Sequence, residues 1–126
     1  MSNIPDSLMF TANHTWVRDE GGFVTVGLTD YIVQDLSDVV LVKVPEEGRT
    51  VRVGETICVV ESTEATHEVY SPFSGEVIGA NVSLEAYADW VNHSPYDQGW
   101  LFRIKPMDGA PTLNLLAAAE YERLVG

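Results

Sequence analysis

Apolar residues recur in short runs broken by glycine, proline or acidic pairs, the spacing of β-strands and turns. The clearest case is 57–77. Ile57-Cys58-Val59-Val60 leads into a polar tip, Glu61 to Glu68, and Val69-Tyr70 leads out. Pro72 and Gly75 punctuate before Glu76-Val77-Ile78 opens another strand. The pattern predicts a β-hairpin with a solvated tip, followed by a turn. No Asn-Gly or Asp-Gly pair stands at the tip, so nothing demands a two-residue loop.

The same reading extends along the chain. A strand over 13–18, a turn at Asp19-Glu20-Gly21-Gly22 and a strand from Phe23 to Leu28 form an opening hairpin. Thr29 or Asp30 is expected to N-cap a short helix through Leu36, with Tyr31, Ile32, Val33 and Leu36 on its apolar side. Val39 to Val44 reads as a strand stopped by Pro45, and strands over 50–53 and 77–82 follow turns at Gly48 and Pro72–Gly75. Residues 83–99 are irregular: Leu84, Tyr87, Trp90 and Val91 suit one or two helical turns, and 92–99 is loop by composition. The tail, 112–125, predicts a helix with Leu113, Ala117, Tyr121 and Leu124 on one face and Pro111 at its entry. Residues 1–10 read as a loose lead-in whose Ile4, Leu8, Met9 and Phe10 dock on the body. The whole is expected to be one mainly β domain over 1–126, a barrel or sandwich with its β body at 11–106 and the hairpin near 57–71.

Composition narrows the function. With 7 basic against 19 acidic residues the net charge is −12, which opposes nucleic-acid and anionic-membrane partners. The apolar runs are far shorter than the ~20 residues of a membrane span. The N-terminus lacks a basic start and an apolar core, so a cytoplasmic protein without signal peptide is expected. One cysteine excludes an internal disulfide, and Cys58, inside an apolar run, reads as a buried small hydrophobe. His14 and His93 read as structural hydrogen-bonding residues. At the tip, Glu61, Glu64, His67 and Glu68 have the donor types of a divalent-metal site, and equally those of a solvated acidic turn. Mutual repulsion there favours a mobile tip. No nucleophile elbow or glycine-rich phosphate loop is present, and an exposed carboxylate tip lacks the burial that tunes an acid/base pair. The chain does not read as an enzyme.

In its motifs the chain resembles the glycine cleavage system H-protein family. That family presents a lysine in a run like Glu-Ser-Val-Lys-Ala, then an acidic residue, then Tyr-x-Pro-x-x-Gly-Glu-Val. Here the run is Glu61-Ser62-Thr63-Glu64-Ala65, then Glu68, then Tyr70, Pro72, Gly75, Glu76 and Val77. The family's opening hairpin is matched by His14, Trp16, Val17, Val24, Val26, Gly27 and Thr29. Its later loop is matched by Val91, Asn92, Pro95, Tyr96, Gly99 and Trp100, followed by Leu101 to Lys105. The matches cover about 8–125.

The resemblance implies a flattened barrel-sandwich hybrid of the lipoyl/biotinyl-carrier type with short helices and a C-terminal helix. It implies carriage rather than catalysis. In the family a lipoyl arm on the tip lysine takes an aminomethyl group from glycine decarboxylase (P protein) to aminomethyltransferase (T protein), and dihydrolipoamide dehydrogenase reoxidises it. Glu64 stands at the lysine position, and Thr15 replaces a glutamate that usually helps line the arm groove. The only lysines are Lys43 and Lys105. No cofactor is therefore expected. His14, Thr15, Glu68, Tyr70, Asn92 and Tyr96 are the candidates for arm-groove or partner contacts. The expected role is a non-lipoylated interaction or regulatory module related to glycine decarboxylation. The alternatives are a carrier disabled by substitution at Glu64, and a metal-binding module using the acidic tip.

Overall fold

Strand alternation builds two facing sheets in the computed structural model, which describes residues 3–110 and 112–126. The strands are β1 (Met9–Phe10), β2 (Thr15–Asp19), β3 (Val24–Leu28), β4 (Val39–Lys43), β5 (Thr50–Val51), β6 (Thr56–Ser62), β7 (Thr66–Tyr70), β8 (Gly75–Ala80), β9 (Phe102–Pro106) and β10 (Leu116–Ala117). Helices α1 (Asp30–Leu36), α2 (Trp90–His93) and α3 (Ala118–Val125) and a 3-10 turn (Val82–Glu85) complete the order. One sheet runs β10-β1-β2-β3-β9-β8-β5 and the other β4-β6-β7, with every pairing antiparallel. Val26, Val77 and Ile104 of the first sheet share a core with Val42, Val60 and Val69 of the second, so the fold is a β-sandwich.

The α1 expectation is met: Thr29 is extended, and its hydroxyl accepts from the Ile32 N–H at 3.4 Å. Cys58 lies in the core, where burial pushes its thiol up to about 12, so it behaves as a hydrophobe.

Both chain ends depart from the expectation. The lead-in contains β1, which pairs with Trp16 and Val17 on one side and with Leu116 and Ala117 on the other. Phe10 is fully buried and stacks on Tyr121 with centroids 4.8 Å apart. The helix expected over 112–125 begins only at Ala118. Before it, the Leu113 N–H donates to the Pro72 carbonyl, Thr112 bridges Phe73, and Leu116-Ala117 completes the sheet edge. Backbone groups there find partners in the sheet, and that overrides local helix propensity. The expected helix face holds only at Tyr121, because Ala117 and Leu124 are exposed. Pro111 lies outside the described residues, as do residues 1 and 2 of the lead-in. The first strand of the opening hairpin starts at Thr15 rather than 13, because His14 turns the chain at φ 67°.

A second, smaller core joins these ends to the sheet. It holds Leu8, Phe10, Trp16, Ala118 and Tyr121. Trp16 is fully buried, its indole N–H donates to the Pro95 carbonyl at 2.9 Å, and it pairs across the strands with Gly27. A Cβ at Gly27 would sit 2.6 Å from Trp16 ring carbons. The indole is held on every side, so Gly27→Ala is expected to cost about 1–3 kcal/mol by overpacking, read as a lower urea midpoint. Gly22→Ala, where an added Cβ meets nothing within 4 Å, is the matched control and should leave the midpoint almost unchanged.

Candidate functional site

The hairpin of β6 and β7 carries its tip on an ordered turn. Ser62 N–H donates to the Ala65 carbonyl at 2.8 Å. The Ser62 hydroxyl accepts from the N–H groups of Glu64 and Ala65 at 3.2 and 3.0 Å, and donates to the Ala65 carbonyl. This local side-chain capping is what serine favours in turns. The tip also docks on the body. Thr63 N–H donates to the Asp38 carbonyl at 3.0 Å, and the Ser37 hydroxyl donates to a Glu64 carboxylate oxygen at 3.2 Å. These bonds, mostly to backbone groups, hold a tip whose acidic composition by itself favours mobility.

The acceptor loop is itself held by Asn92. Its Oδ1 accepts from the Val39 N–H at 2.9 Å and its Nδ2 donates to the Ser37 carbonyl at 2.8 Å. Ser37 closes α1 at φ 66°, a left-handed turn that a non-glycine residue adopts only when its surroundings impose it. Asn92 thus holds the bend on which the tip rests, and it also lines a surface pocket with Tyr96. Ser37 and Asp38 were missed in the sequence, because a helix end carries no sign of what later rests on it.

The metal reading is not supported. Val60 pairs with His67, Val59 with Glu68 and Glu61 with Thr66. His67 therefore faces the same side as buried Val60, while Glu61 and Glu68 project from the opposite face. Among the described residues no group of three or more His, Cys, Asp or Glu side chains is placed to hold a metal ion. The four donors are neighbours in sequence, and the strand period separates them.

His67 instead turns toward the β2 entry. Its Nε2 lies 3.2 Å from the Asn13 carbonyl, and Asn13 Nδ2 donates to the Glu68 carbonyl at 3.2 Å. His14 places its Nδ1 2.8 Å from the Tyr121 hydroxyl, which lies 2.8 Å from the Thr29 hydroxyl. Burial lowers the His14 pKa, and the nearby His67 adds to that. Burial likewise lowers His67, partly opposed by the Asn13 carbonyl and Glu68. Burial raises the Tyr121 hydroxyl to about 12, so it stays protonated.

The other candidates divide. Glu68 is exposed and Tyr70 half-buried at the hairpin base opposite Thr56. Thr15 is buried with its hydroxyl 2.6 Å from that of Thr11, so it lines no groove surface. The Tyr96 hydroxyl donates to the Asn3 carbonyl and accepts from the Asp30 N–H at 3.0 Å, tying the N-terminal segment to α1. His93 is an exposed partner of Asp89 at 3.4 Å.

Two measurements check this geometry. Asn92→Ala removes both bonds to the 37–39 bend and leaves a carbonyl and an N–H without their partner. A loss of about 1–3 kcal/mol is expected, with faster hydrogen exchange of the Thr63 amide. The histidines set a pH dependence. Their folded pKa values lie below the ordinary 6.5, so the unfolded chain binds protons first as pH falls. Their contribution is complete above about pH 6.5 and is lost below it. The melting temperature is expected to fall between pH 7.5 and 5.5, and less so in His14→Asn, which tolerates the same left-handed turn.

Comparison with known proteins places the chain. The family model for the glycine cleavage H-protein matches residues 8–126. The glycine cleavage system H protein of Alteromonas mediterranea is 46% identical over 126 residues, covering 99% of this chain and 98% of that protein. That of Thermus thermophilus is 42% identical over 123 residues, covering 98% and 96%. The crystal structure of a glycine cleavage system H protein from Mycobacterium marinum superposes with a TM-score of 0.87 at 33% identity, covering 95% of this chain and 97% of that one. This kinship corrects the expectation of no cofactor. The relatives are H proteins, whose family carries lipoate, so lipoate is the group the fold implies. At residue level the tip does not fit that group as an amide. Position 64 is a carboxylate bonded to Ser37, while Lys43 pairs with Val59 and Lys105 with Glu76, both away from the tip. In its sequence over 8–126 and in its fold, the chain belongs to the glycine cleavage H-protein family.

Proposed function

We propose that this chain is an interaction or regulatory module of glycine cleavage, one H-protein-like domain over 1–126 acting in the cytoplasm. Its partners are the enzymes the family serves: glycine decarboxylase (P protein), aminomethyltransferase (T protein) or dihydrolipoamide dehydrogenase. It is not itself an enzyme, in keeping with a family of carriers. Neither nucleic acid nor membrane is a partner; the net charge of −12 disfavours phosphate surfaces, and no helix among the described residues is long and apolar enough to cross a membrane.

The observation that carries this reading is Glu64. The tip keeps an ordered turn on an H-protein body, yet presents a carboxylate where the family presents an amine. A partner surface that receives the tip meets reversed charge there, which changes affinity and orientation rather than the shape of the body. Thr63, Thr66 and His67 also differ from the small residues common around the family's lysine, and this favours a specialised module over a carrier altered at one position.

Capture from the source organism at native abundance, read by quantitative mass spectrometry, is expected to recover glycine decarboxylase or aminomethyltransferase. Recovery of unrelated proteins, and of none of these enzymes, would overturn the assignment. A second measurement separates the module from a carrier altered at one residue. The turn is closed through the Ser62 hydroxyl and the backbone N–H groups of Glu64 and Ala65, while the Glu64 side chain adds one exposed bond from Ser37. Glu64→Lys is therefore expected to fold as the parent does and, with a lipoate ligase and lipoate, to gain the mass of one lipoyl group. If that product then supports glycine cleavage at the rate of an ordinary H protein, the altered-carrier reading stands and the specialised module falls.

A further inference from the structure

Basic residues are scarce in this chain, with 7 against 19 acidic ones, yet two arginines of the seven-stranded sheet, which does not contain the β6–β7 hairpin, face one cavity. Arg18 of β2 pairs with Thr25 of β3, and Thr25 pairs with Arg103 of β9. Directly opposed residues share a sheet face, so the two arginines flank the Thr25 hydroxyl on the side away from the core. They line a cavity of about 400 Å³ whose rim includes Ser83, Trp90 and Trp100.

Both guanidiniums are pre-positioned. Arg103 lies over the Trp100 ring at 4.1 Å and over Phe23 at 5.9 Å, and its Nε donates to the Thr25 hydroxyl at 3.2 Å. Arg18 lies over Trp16 at 4.8 Å, and its Nη2 donates to the Tyr96 carbonyl at 2.8 Å. Gly79 pairs with Arg103, and an added Cβ there would touch the arginine stem at 3.4 Å. Stacking holds a guanidinium by its face and leaves the in-plane N–H donors usable. The hydrogen bonds to protein take one nitrogen of each arginine. Two carboxylates are near. Asp97 also lines the cavity, and Glu20 accepts from the Thr25 hydroxyl at 2.7 Å. Among the described residues neither arginine forms an ion pair.

Two immobilised guanidiniums with spare donors and no ion pair are the parts of an oxyanion receptor, while the Thr25 hydroxyl, whose proton goes to Glu20, holds Arg103 in place. We propose that this cavity binds a small oxyanion, a phosphate or a carboxylate group, between Arg18 and Arg103. The site lies on the seven-stranded sheet and does not depend on residue 64.

The test is an NMR titration of the full chain at fixed ionic strength, with inorganic phosphate in one arm, acetate in a second and chloride as the control. The Trp100 indole N–H and the Thr25 amide are followed. Saturable shifts with phosphate or acetate but not with chloride are expected, and the arm that saturates identifies the chemistry. Arg18→Gln is expected to weaken binding about tenfold or more, the loss of one charge-assisted bond. Arg103→Gln should do the same, and Arg52→Gln, on an exposed turn, should not. The variant spectra themselves report folding. If Arg103→Gln fails to fold, Arg18→Gln decides. Linear shifts in every arm, or saturable binding that both cavity variants retain at full strength, would overturn the proposal.

Discussion

The Asn92 carboxamide holds the bend on which the tip of the β6–β7 hairpin rests. Its two bonds close the passage from α1 into β4, where Ser37 turns through a left-handed conformation. A left-handed serine is disfavoured on its own, so the bend persists because a side chain from α2, more than fifty residues later, satisfies its backbone. The hairpin tip then rests on that bend through Thr63 and Glu64. Position of the tip is thus a tertiary property, set by a polar side chain with all of its local partners supplied.

The same economy of satisfied polar groups joins the chain ends to the opening hairpin. The Tyr121 hydroxyl lies between His14 and Thr29, and the ring stacks on Phe10. One residue of α3 therefore joins β1, the entry of β2 and the N-cap of α1. His67 reaches the adjoining Asn13 carbonyl from β7, and Asn13 donates to the Glu68 carbonyl, so this strand is tied to the start of the opening hairpin. No buried side-chain nitrogen or oxygen among the described residues lacks a hydrogen-bond partner. Fully satisfied polar networks of this kind rigidify a body.

Charge is arranged with similar economy. The acidic excess covers the solvated surface, including the tip carboxylates, and favours basic partner surfaces. Against that background Arg18 and Arg103 form no ion pair among the described residues and stack on aromatic rings on the side of the seven-stranded sheet. The hairpin and the arginine row lie on different sheets, so a change in one is free to leave the other intact.

Much of the architecture was legible in the chain itself, because period-two alternation and turn residues are local signals. The hairpin of β6 and β7, the opening hairpin, Thr29 as N-cap and the burial of Cys58 all follow from neighbours in sequence. The motif frame around residues 61–77 and 91–100 likewise identified the family from residue types alone. What the sequence could not show depended on contacts across the fold. Leu116 and Ala117 have helical surroundings, yet they pair with β1 because a sheet edge needs backbone partners. The four tip donors look like one cluster, yet strand parity sends His67 to the opposite face. Thr15 looked like a groove residue and is buried against Thr11. Arg18, Thr25 and Arg103 are scattered over the chain and meet only because three strands lie side by side. Local pattern determined most of the strands and helices; packing decided the edge strands at the two chain ends and which side chains meet, since these depend on register between residues far apart in the chain.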